Sequence, residues 1–436
     1  MKTFIGFVSG AALIVGAALT PISSCVSIRS VLAADRASKS DYSGMFDSFE
    51  LDHSLRAGYW SGSRSLDGTS HIPASSFWLR SQSHLSDNLG VKAEGWVAGN
   101  RPYVQDAPRF ELREGYLSWS GENADLKIGR QIGVWGRADR INPTDNLSSR
   151  DYTSLFPNDD DLRRGNLMVK GGYGIGNDYT VSAYWLPEFR PNVLPTQRGA
   201  NFLPDQQGND PTQFAVKLDR SGGGFDWSVS YFDGLDRSYD VKIVPAPSGE
   251  LFFQRLYPRV RVFGADAATT FDRYGLRAEM AYVSTPDLNG GRADIRNSEW
   301  QGVVGVDRTF GSSFNVNFQY ILRVVQDFRE TDFYATPLDR AVAVANGGLR
   351  NQLDPLQHGV SARISDRFLN ESLEVEAGNL VYAPMRQGVS QFKASYAISD
   401  TGKVIIGADY YYGDSRSYFG AVSKSSSGYL ELRWGY

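Results

Sequence analysis

The feature that most constrains this chain is an alternation of apolar and polar residues with a period of two, repeated in pieces of about ten residues. In FNVNFQYILRV (residues 314–324) the even positions are apolar, and the odd positions, apart from Ile321, are Asn, Gln or Arg. Residues 225–232, 391–398 and 404–412 follow the same pattern. Such an alternation predicts β-strands with one apolar and one polar face.

The composition supports a fold built only from strands. Aromatic residues make up 13% of the chain and there are 45 glycines, which suits strands and turns better than helices. After residue 19 there is no run of 18 apolar residues, so we predict no membrane-spanning helix in the body of the chain. The formal charge of −4 gives no reason to expect a nucleic-acid partner. The predicted fold class is all-β.

The connections between the alternating segments distinguish a soluble sandwich from a transmembrane barrel. Short connections, such as residues 120–124, 221–224, 311–313 and 399–402, alternate with long ones, such as 137–161, 187–211, 234–251 and 326–357. Outer-membrane barrels have short periplasmic turns and long external loops, whereas a sandwich has no reason to sort its loops in this way. We predict an antiparallel barrel of about 18 strands, with 16 as the alternative. The predicted strand cores are 49–60, 76–86, 90–99, 109–119, 124–136, 163–172, 178–186, 212–220, 225–233, 253–268, 273–283, 299–310, 314–325, 358–366, 372–382, 390–398, 403–412 and 428–436.

The N-terminus indicates export. Lys2 precedes an apolar run of 16 residues from Phe4 to Leu19, which is short for a membrane span and typical of a secretory signal. Residues 22–25 match a permissive lipobox that would make Cys25 a lipidated first residue, and residues 31–34 offer an ordinary cleavage site instead. The predicted organisation is a signal peptide over 1–34, a periplasmic segment over 35–48 and a barrel over 49–436 in the bacterial outer membrane, in contact with its lipid.

The C-terminus is the most specific signal. The last eight residues, YLELRWGY, place Leu430, Leu432, Trp434 and Tyr436 on one face and end on an aromatic residue. This resembles the terminal strand by which outer-membrane barrels are recognised by the barrel-assembly machinery, which we therefore expect as a partner.

A glycine-rich stretch, LKIGRQIGVWGRADRINPTDN (residues 126–146), contains Gly129, Gly133 and Gly136. A phosphate-binding loop would need a following helix and a Lys-Ser or Lys-Thr pair, and the stretch has neither. We interpret it as a strand whose glycines let another backbone pass closely.

Pairing this strand with the preceding one raises a question about charge. A turn centred on Glu122 makes opposing residue numbers sum to 244, which puts Glu114 opposite Arg130 on an otherwise aliphatic face. A lone arginine at the midplane of a barrel wall costs roughly 2–4 kcal/mol. Three interpretations stay open: an ion pair at the edge of the membrane, an ion pair covered by another subunit of a homo-oligomer, or a bulge at Gly129 that turns Arg130 into the lumen.

The block from Arg109 to Thr153, with RFELREGYLSW followed by ADLKIGRQIGVWGRADRINPTDNLSSRDYT, resembles a family of uncharacterised Gram-negative outer-membrane barrels of unknown function. That family is in turn distantly similar to the alginate-export porins. The resemblance implies an outer-membrane location and a channel-like barrel. It implies no transported substrate.

The polar face of each predicted strand gives a set of candidate pore-lining residues. Selectivity in such a barrel comes from inward charges and from loops folded into the lumen. Both signs of charge occur in the set, which predicts a mildly anion-preferring or unselective pore, unless the charges only pair across strands. The candidates are Glu111, Arg113, Lys127, Gln131, Lys217, Arg277, Arg323, Arg363, Glu374, Glu376 and Lys393, together with Glu279.

Two loops are candidates for restricting the channel. Residues 187–211 are proline-rich and carry Arg190 and Arg198, and residues 326–357 contain a helix capped by Thr336, starting at Pro337 and ending near Gly347. The alternative is that both lie at the surface outside the cell.

We interpret the acidic run at 158–161 as solvated rather than as a calcium site.

Catalysis has little support in this sequence. The histidines His53, His71, His84 and His358 are scattered, and neither a G-x-S-x-G nor an H-E-x-x-H motif occurs, so we predict no enzyme, no cofactor and no metal.

We predict a channel for the passive diffusion of small or extended polar solutes. The alternatives are an export conduit for a polymer and a loop-closed barrel that binds a surface partner.

Overall fold

The computed structural model describes residues 49–62, 71–99, 109–195, 202–208 and 210–435. Eighteen of its strands form one closed sheet in which each strand pairs with its neighbours in the chain and the first pairs with the last. The predicted 18-stranded antiparallel barrel is therefore confirmed. The predicted signal peptide, Cys25, the segment 35–48, Arg198 and Tyr436 lie outside the described residues.

The described strands, in chain order, are β1 (Glu50–Gly62), β2 (His71–Ser86), β3 (Leu89–Gly99), β4 (Arg109–Ser120), β5 (Ala124–Gln131), β6 (Ser149–Arg150), β7 (Arg163–Arg164), β8 (Asn166–Ile175), β9 (Tyr179–Leu186), β10 (Gln206–Gln207), β11 (Gln213–Arg220), β12 (Phe225–Leu235), β13 (Asp240–Pro245), β14 (Leu251–Tyr257), β15 (Arg259–Phe271), β16 (Tyr274–Ser284), β17 (Glu299–Phe310), β18 (Phe314–Val325), β19 (Leu356–Phe368), β20 (Leu373–Tyr382), β21 (Gln387–Ala397), β22 (Gly402–Tyr412) and β23 (Ser427–Gly435). All of them belong to the barrel except β6, β7, β10, β13 and β14. Two α-helices are present in the described residues, α1 (Pro337–Arg350) and α2 (Tyr418–Ala421). Neither has the length and hydropathy of a membrane-spanning helix.

The outer face of the barrel is an apolar band between two rows of aromatic residues. Exposed rings at one end include Phe271, Tyr274, Phe310, Phe314 and Phe368, beside the short turns. Exposed rings at the other end include Trp185, Phe214, Phe263 and Trp300, beside the long loops. Aromatic girdles on both sides of an apolar band are typical of barrels embedded in an outer membrane. We call these two ends the turn end and the loop end.

Structured segments cover the loop end. A small sheet in the order β10–β14–β13 stands beside α1. Helix α1 begins as predicted, with the Thr336 side chain accepting a hydrogen bond from the Asp339 N–H at 3.0 Å. The predicted end near Gly347 is three residues too early, because the helix continues to Arg350 and stops where Asn351 adopts a left-handed backbone with φ of 52°. Asparagine tolerates that conformation and is a common helix-ending residue.

Two predicted strands need correction. The segment 124–136 leaves the barrel wall after Gln131, and residues 132–136 turn into the interior. The segment 253–268 is two strands, β14 in the small sheet and β15 in the barrel, separated at Pro258. Proline has no N–H to donate to a ladder, so a strand boundary at this position is the expected outcome.

The predicted pairing of Glu114 with Arg130 is wrong. Opposing residues on β4 and β5 sum to 245, so Gly115 lies opposite Arg130. A β-bulge in β4 inserts Arg113 between two paired positions, and Arg113 and Glu114 both face inward as a result. Inside the barrel Glu114 accepts a hydrogen bond from Lys92, while Arg130 stays on the outer face at the loop end and pairs with Glu188 at 3.0 Å.

Candidate functional site

The side chains of all twelve predicted pore-lining residues face the interior of the barrel, as the strand register and the burial pattern show. Most are held by partners instead of standing free in an open lumen. Arg323 pairs with Glu299 at 2.8 Å, Lys217 with Asp219 at 2.6 Å and Arg277 with Asp307 at 2.9 Å. Their inward position follows from strand alternation, whereas their effect on ion or solute selectivity stays a prediction.

The dominant feature of the interior is a long loop that enters it. Residues 132–165 connect β5 to β8 and fold inside the barrel; we call this segment the inner loop. It contains the second half of the glycine-rich stretch. In their described residues, the loops that the sequence suggested as restrictions, 187–211 and 326–357, meet at the small sheet: β10 belongs to it and α1 packs against β13.

An apolar anchor holds the first half of the inner loop. Trp135 and Leu147 are buried against inward-facing side chains of β8, β9, β11, β12, β15 and β16, among them Met168 and Phe232. The inward faces of these strands are apolar near the loop end, unlike the polar faces elsewhere. This half of the lumen is therefore filled with packed side chains.

A single carboxylate provides the second anchor. Glu279 on β16 is 3% exposed and accepts hydrogen bonds from the backbone N–H groups of Arg137, Ala138 and Thr144 at 3.1, 3.2 and 2.8 Å. The Thr144 hydroxyl and the Asn142 amide donate to it as well, at 2.8 and 3.2 Å. Gly136, with φ of +93°, lies so close to this carboxylate that a Cβ atom there would collide with it. The glycine therefore lets the loop wrap around Glu279.

Ion pairs extend across the lumen from the tip of the inner loop. Arg137 pairs with Asp219 on β11 at 2.6 Å and with Asp266 on β15. On the opposite wall Asp139 accepts from Arg363 at 2.6 Å, and Arg140 pairs with Glu376 on β20. The loop is thus tied to both sides of the barrel.

Arg140 combines two unusual properties. It is a non-glycine residue with a positive φ of 65°, a conformation that costs free energy and is often found at functional sites. Its guanidinium also donates to Gln391 on β21 at 3.1 Å and lies 3.7 Å from Asp159 in the returning half of the loop. Arg140 therefore links the inner loop to the wall formed by β20 and β21.

An aromatic clamp anchors the returning half of the inner loop. Phe156 lies edge-on to two inward-facing tryptophans, with ring centroids 5.2 Å from Trp78 and 5.5 Å from Trp96. Asp161 pairs with Arg56 at 2.7 Å and lies 3.5 Å from Arg433. The interpretation of residues 158–161 as a solvated acidic run is wrong for Asp161, whose side chain is only 14% exposed.

Above the inner loop, a group of buried charges joins the segments of the loop end. This loop-end cluster is tied by Arg350 to Asp240 at 2.6 Å, Arg350 to Asp236 at 3.3 Å and Arg296 to Asp236 at 2.9 Å. Arg296 and Arg323 both pair with Glu299 at 2.8 Å. The cluster consists of Asp236, Asp240, Arg296, Glu299, Arg323 and Arg350.

Two loop residues, Asp236 and Arg237, have shifted pKa values. Burial alone would raise the pKa of Asp236, but the guanidinium groups of Arg296 and Arg350 outweigh it and hold the pKa below its ordinary value. Burial lowers the pKa of Arg237 to about 10. Arg237 donates to the carbonyls of Asn146 and Leu147 in the inner loop at 2.8 and 2.9 Å, which ties that loop to the cover above it.

The structure brings no candidate metal-binding cluster together in its described residues. The four histidines lie on β1, β2 and β19, and no set of three or more His, Cys, Asp and Glu side chains in the described ranges could hold a metal ion. Of the described part of the C-terminal signal, Leu430, Leu432 and Trp434 are on the outward face of β23, and Trp434 is exposed.

A model of the family described as "Protein of unknown function (DUF1302)" matches residues 104–349. Among solved structures, Acinetobacter baumannii OccAB3 superposes with a TM-score of 0.55 at 11% identity, covering 89% of this chain and 99% of that chain. Acinetobacter baumannii OccAB4 gives a TM-score of 0.52 at 9% identity, covering 89% and 97%. No curated protein matches the chain. At these identities the two structures establish a shared barrel fold and nothing about cargo.

Proposed function

Because the chain belongs to the DUF1302 family and folds as a porin-like outer-membrane barrel, we propose that it is an outer-membrane channel for the passive diffusion of small or extended polar solutes. The observation that carries the proposal is the inner loop. A closed barrel that served only as a scaffold would need no polar loop crossing its interior, whereas a channel uses such a loop to set the size and charge of its passage.

The narrowest part of the passage lies, in this proposal, between the inner loop and the wall of β19–β22. Partly exposed charged side chains remain there, unlike in the packed half around Trp135. Arg140 and Asp159 from the loop are 34% and 56% exposed, and Arg363 and Lys393 from the wall are 24% and 23% exposed. Both signs of charge are present, so we expect weak ion selectivity and a preference for polar over apolar solutes.

Orientation follows from the two ends of the barrel. In outer-membrane barrels the short turns face the periplasm and the long loops face the outside. Solutes would therefore enter past the small sheet and α1, pass the inner loop, and leave at the turn end. Glu374 and Arg367 are inward-facing residues at that exit.

Swelling of proteoliposomes tests this proposal. Refolded protein is reconstituted into liposomes, which are diluted into isotonic solutions of a pentose, a hexose, a disaccharide and a tetrasaccharide. We expect swelling that slows as the solute grows. The absence of swelling with every solute, from protein that shows the heat-modifiable migration of a folded barrel, would contradict a diffusion channel. Swelling only after the inner loop is released would instead favour the loop-closed barrel.

A further inference from the structure

The outward-facing charges of the barrel are few, and they lie at its two rims. Arg130 pairs with Glu188 at 3.0 Å, and Arg220 lies 3.8 Å from Asp178. Arg259 and Arg261 share the carboxylate of Asp233. Each of these arginines therefore lies near a carboxylate of the protein, although Arg259 and Arg261 share one.

Arg308 is the exception among the outward-facing arginines of the described barrel strands. It lies on β17 opposite Tyr274 of β16, at the turn end, and no carboxylate of the described residues is within ion-pair distance of it. Its guanidinium donates to the Tyr274 hydroxyl and is 4.6 Å from the centre of that ring and 4.7 Å from the centre of the Phe310 ring. Its Nε atom is buried and has no hydrogen-bond partner among the residues that the structure describes.

This arrangement leaves a positive charge without an anion in an apolar setting. Tyr274 and Phe310 belong to the aromatic row that marks the boundary between the acyl chains and the headgroups. An arginine at this depth can reach the boundary but needs a partner for its unused donors. The anion available at that level of a bilayer is the phosphate of a lipid headgroup, and the planar guanidinium matches phosphate with two parallel hydrogen bonds.

We propose that Arg308, held between Tyr274 and Phe310, binds the phosphate of a phospholipid in the leaflet at the turn end. The two rings orient the guanidinium, and the terminal N–H groups that the Tyr274 hydroxyl leaves unused are the donors for the phosphate. Asp366, an outward-facing carboxylate at the same end, lies two strands away on β19 and accepts a hydrogen bond from Ser313 at 2.6 Å. This proposal needs the barrel to be embedded in a membrane, but it does not depend on channel activity.

Lipid binding by native mass spectrometry tests the proposal. Refolded protein in an uncharged detergent is titrated with dimyristoylphosphatidylglycerol, and the dissociation constant of the first bound lipid is measured. Arg308→Ala should weaken that binding about ten-fold, the loss expected for one charge-assisted hydrogen-bonded contact. Arg308→Lys, which keeps the charge but not the planar fork, should be intermediate.

The matched control is Arg261→Ala, because Arg261 is also an outward-facing arginine on a rim but already shares Asp233. It should leave the affinity within two-fold of wild type. Equal binding by wild type and Arg308→Ala, or an equal loss in Arg261→Ala, would overturn the proposal. Displacement of the lipid by millimolar inorganic phosphate would also overturn it, because the site would then be one for free phosphate. Heat-modifiable migration shows whether each variant is folded. The lipid titration does not measure conductance, so its failure can be distinguished from a failure of the proposed channel function.

Discussion

Removing the carboxylate of Glu279 should release the inner loop while leaving the barrel intact. Three backbone N–H groups, those of Arg137, Ala138 and Thr144, donate to this one side chain, and Glu279→Ala leaves all three without their acceptor. Each buried donor left unpaired costs roughly 1–3 kcal/mol. Since water can enter the space and satisfy part of this need, we take the lower bound of about 3 kcal/mol for the three together.

This free energy is large enough to change the equilibrium between the docked and the undocked inner loop. A change of about 3 kcal/mol raises the ratio of undocked to docked loop more than a hundred-fold. The ladder of β16 is formed by its backbone, so the barrel itself should keep its heat-modifiable migration. Glu279→Gln keeps one acceptor oxygen but replaces the other with a donor, and should fall between wild type and Glu279→Ala.

Single-channel recording in planar bilayers measures the effect. We expect Glu279→Ala to show a higher mean conductance and more frequent transitions between levels than wild type. Glu374→Ala is the matched control, because Glu374 is also an inward-facing carboxylate of the wall but lies at the turn end, away from the inner loop. If folded Glu279→Ala showed the same conductance and the same noise as wild type and Glu374→Ala, Glu279 would not be what holds the inner loop in place.

Four further outcomes follow from other contacts of the inner loop and of the loop end. Arg140→Ala removes a positive charge at the passage, so the reversal potential in a salt gradient should shift toward cation preference, with Arg140→Lys close to wild type. Phe156→Ala removes the aromatic clamp. Because Phe156 is only partly buried, the cost should stay below the roughly 3–5 kcal/mol of a fully buried Phe, but proteolysis within residues 150–160 should become faster, whereas Phe271→Ala on the outer face should not change it. Arg350→Met leaves Asp240 buried without its partner, costs about 3–5 kcal/mol, and should speed hydrogen exchange over 236–258. The pKa of Asp236 is lowered in the folded loops, so the contribution of Asp236 to the stability of the loops is complete above pH 3.8 and is lost as the pH falls through the lower folded pKa. Hydrogen exchange over 236–258, corrected for its intrinsic pH dependence, should therefore rise only below pH 3.8.

Strand alternation made the barrel predictable from the sequence. Because a strand points successive side chains to opposite faces, the residues that face lipid and the residues that face the lumen could be assigned without coordinates. All twelve inward candidates lie on the predicted side, even Arg113. The same rule misplaced Glu114, since the bulge at Arg113 shifts the phase by one residue and nothing in the local sequence marks a bulge there.

The role of the inner loop could not be derived in the same way. Its sequence shows the glycines, but their purpose depends on Glu279, which is more than 130 residues away in the chain. Gly136 carries a positive φ because a carboxylate from β16 occupies the place of a side chain. Contacts of this range are invisible to periodicity. One local signal was available: Asn142-Pro143 and the run of polar residues after Gly136 end the alternation. This signal indicates a loop but places its start five residues after Gln131, where the chain leaves the wall.

The conductance of refolded wild-type protein in a planar bilayer under a salt gradient shows whether this barrel is a channel narrowed by residues 132–165. We expect steady conductance steps with a reversal potential near zero, because charges of both signs border the passage. Complete absence of conductance from heat-modifiable protein, in both wild type and Glu279→Ala, would contradict a channel.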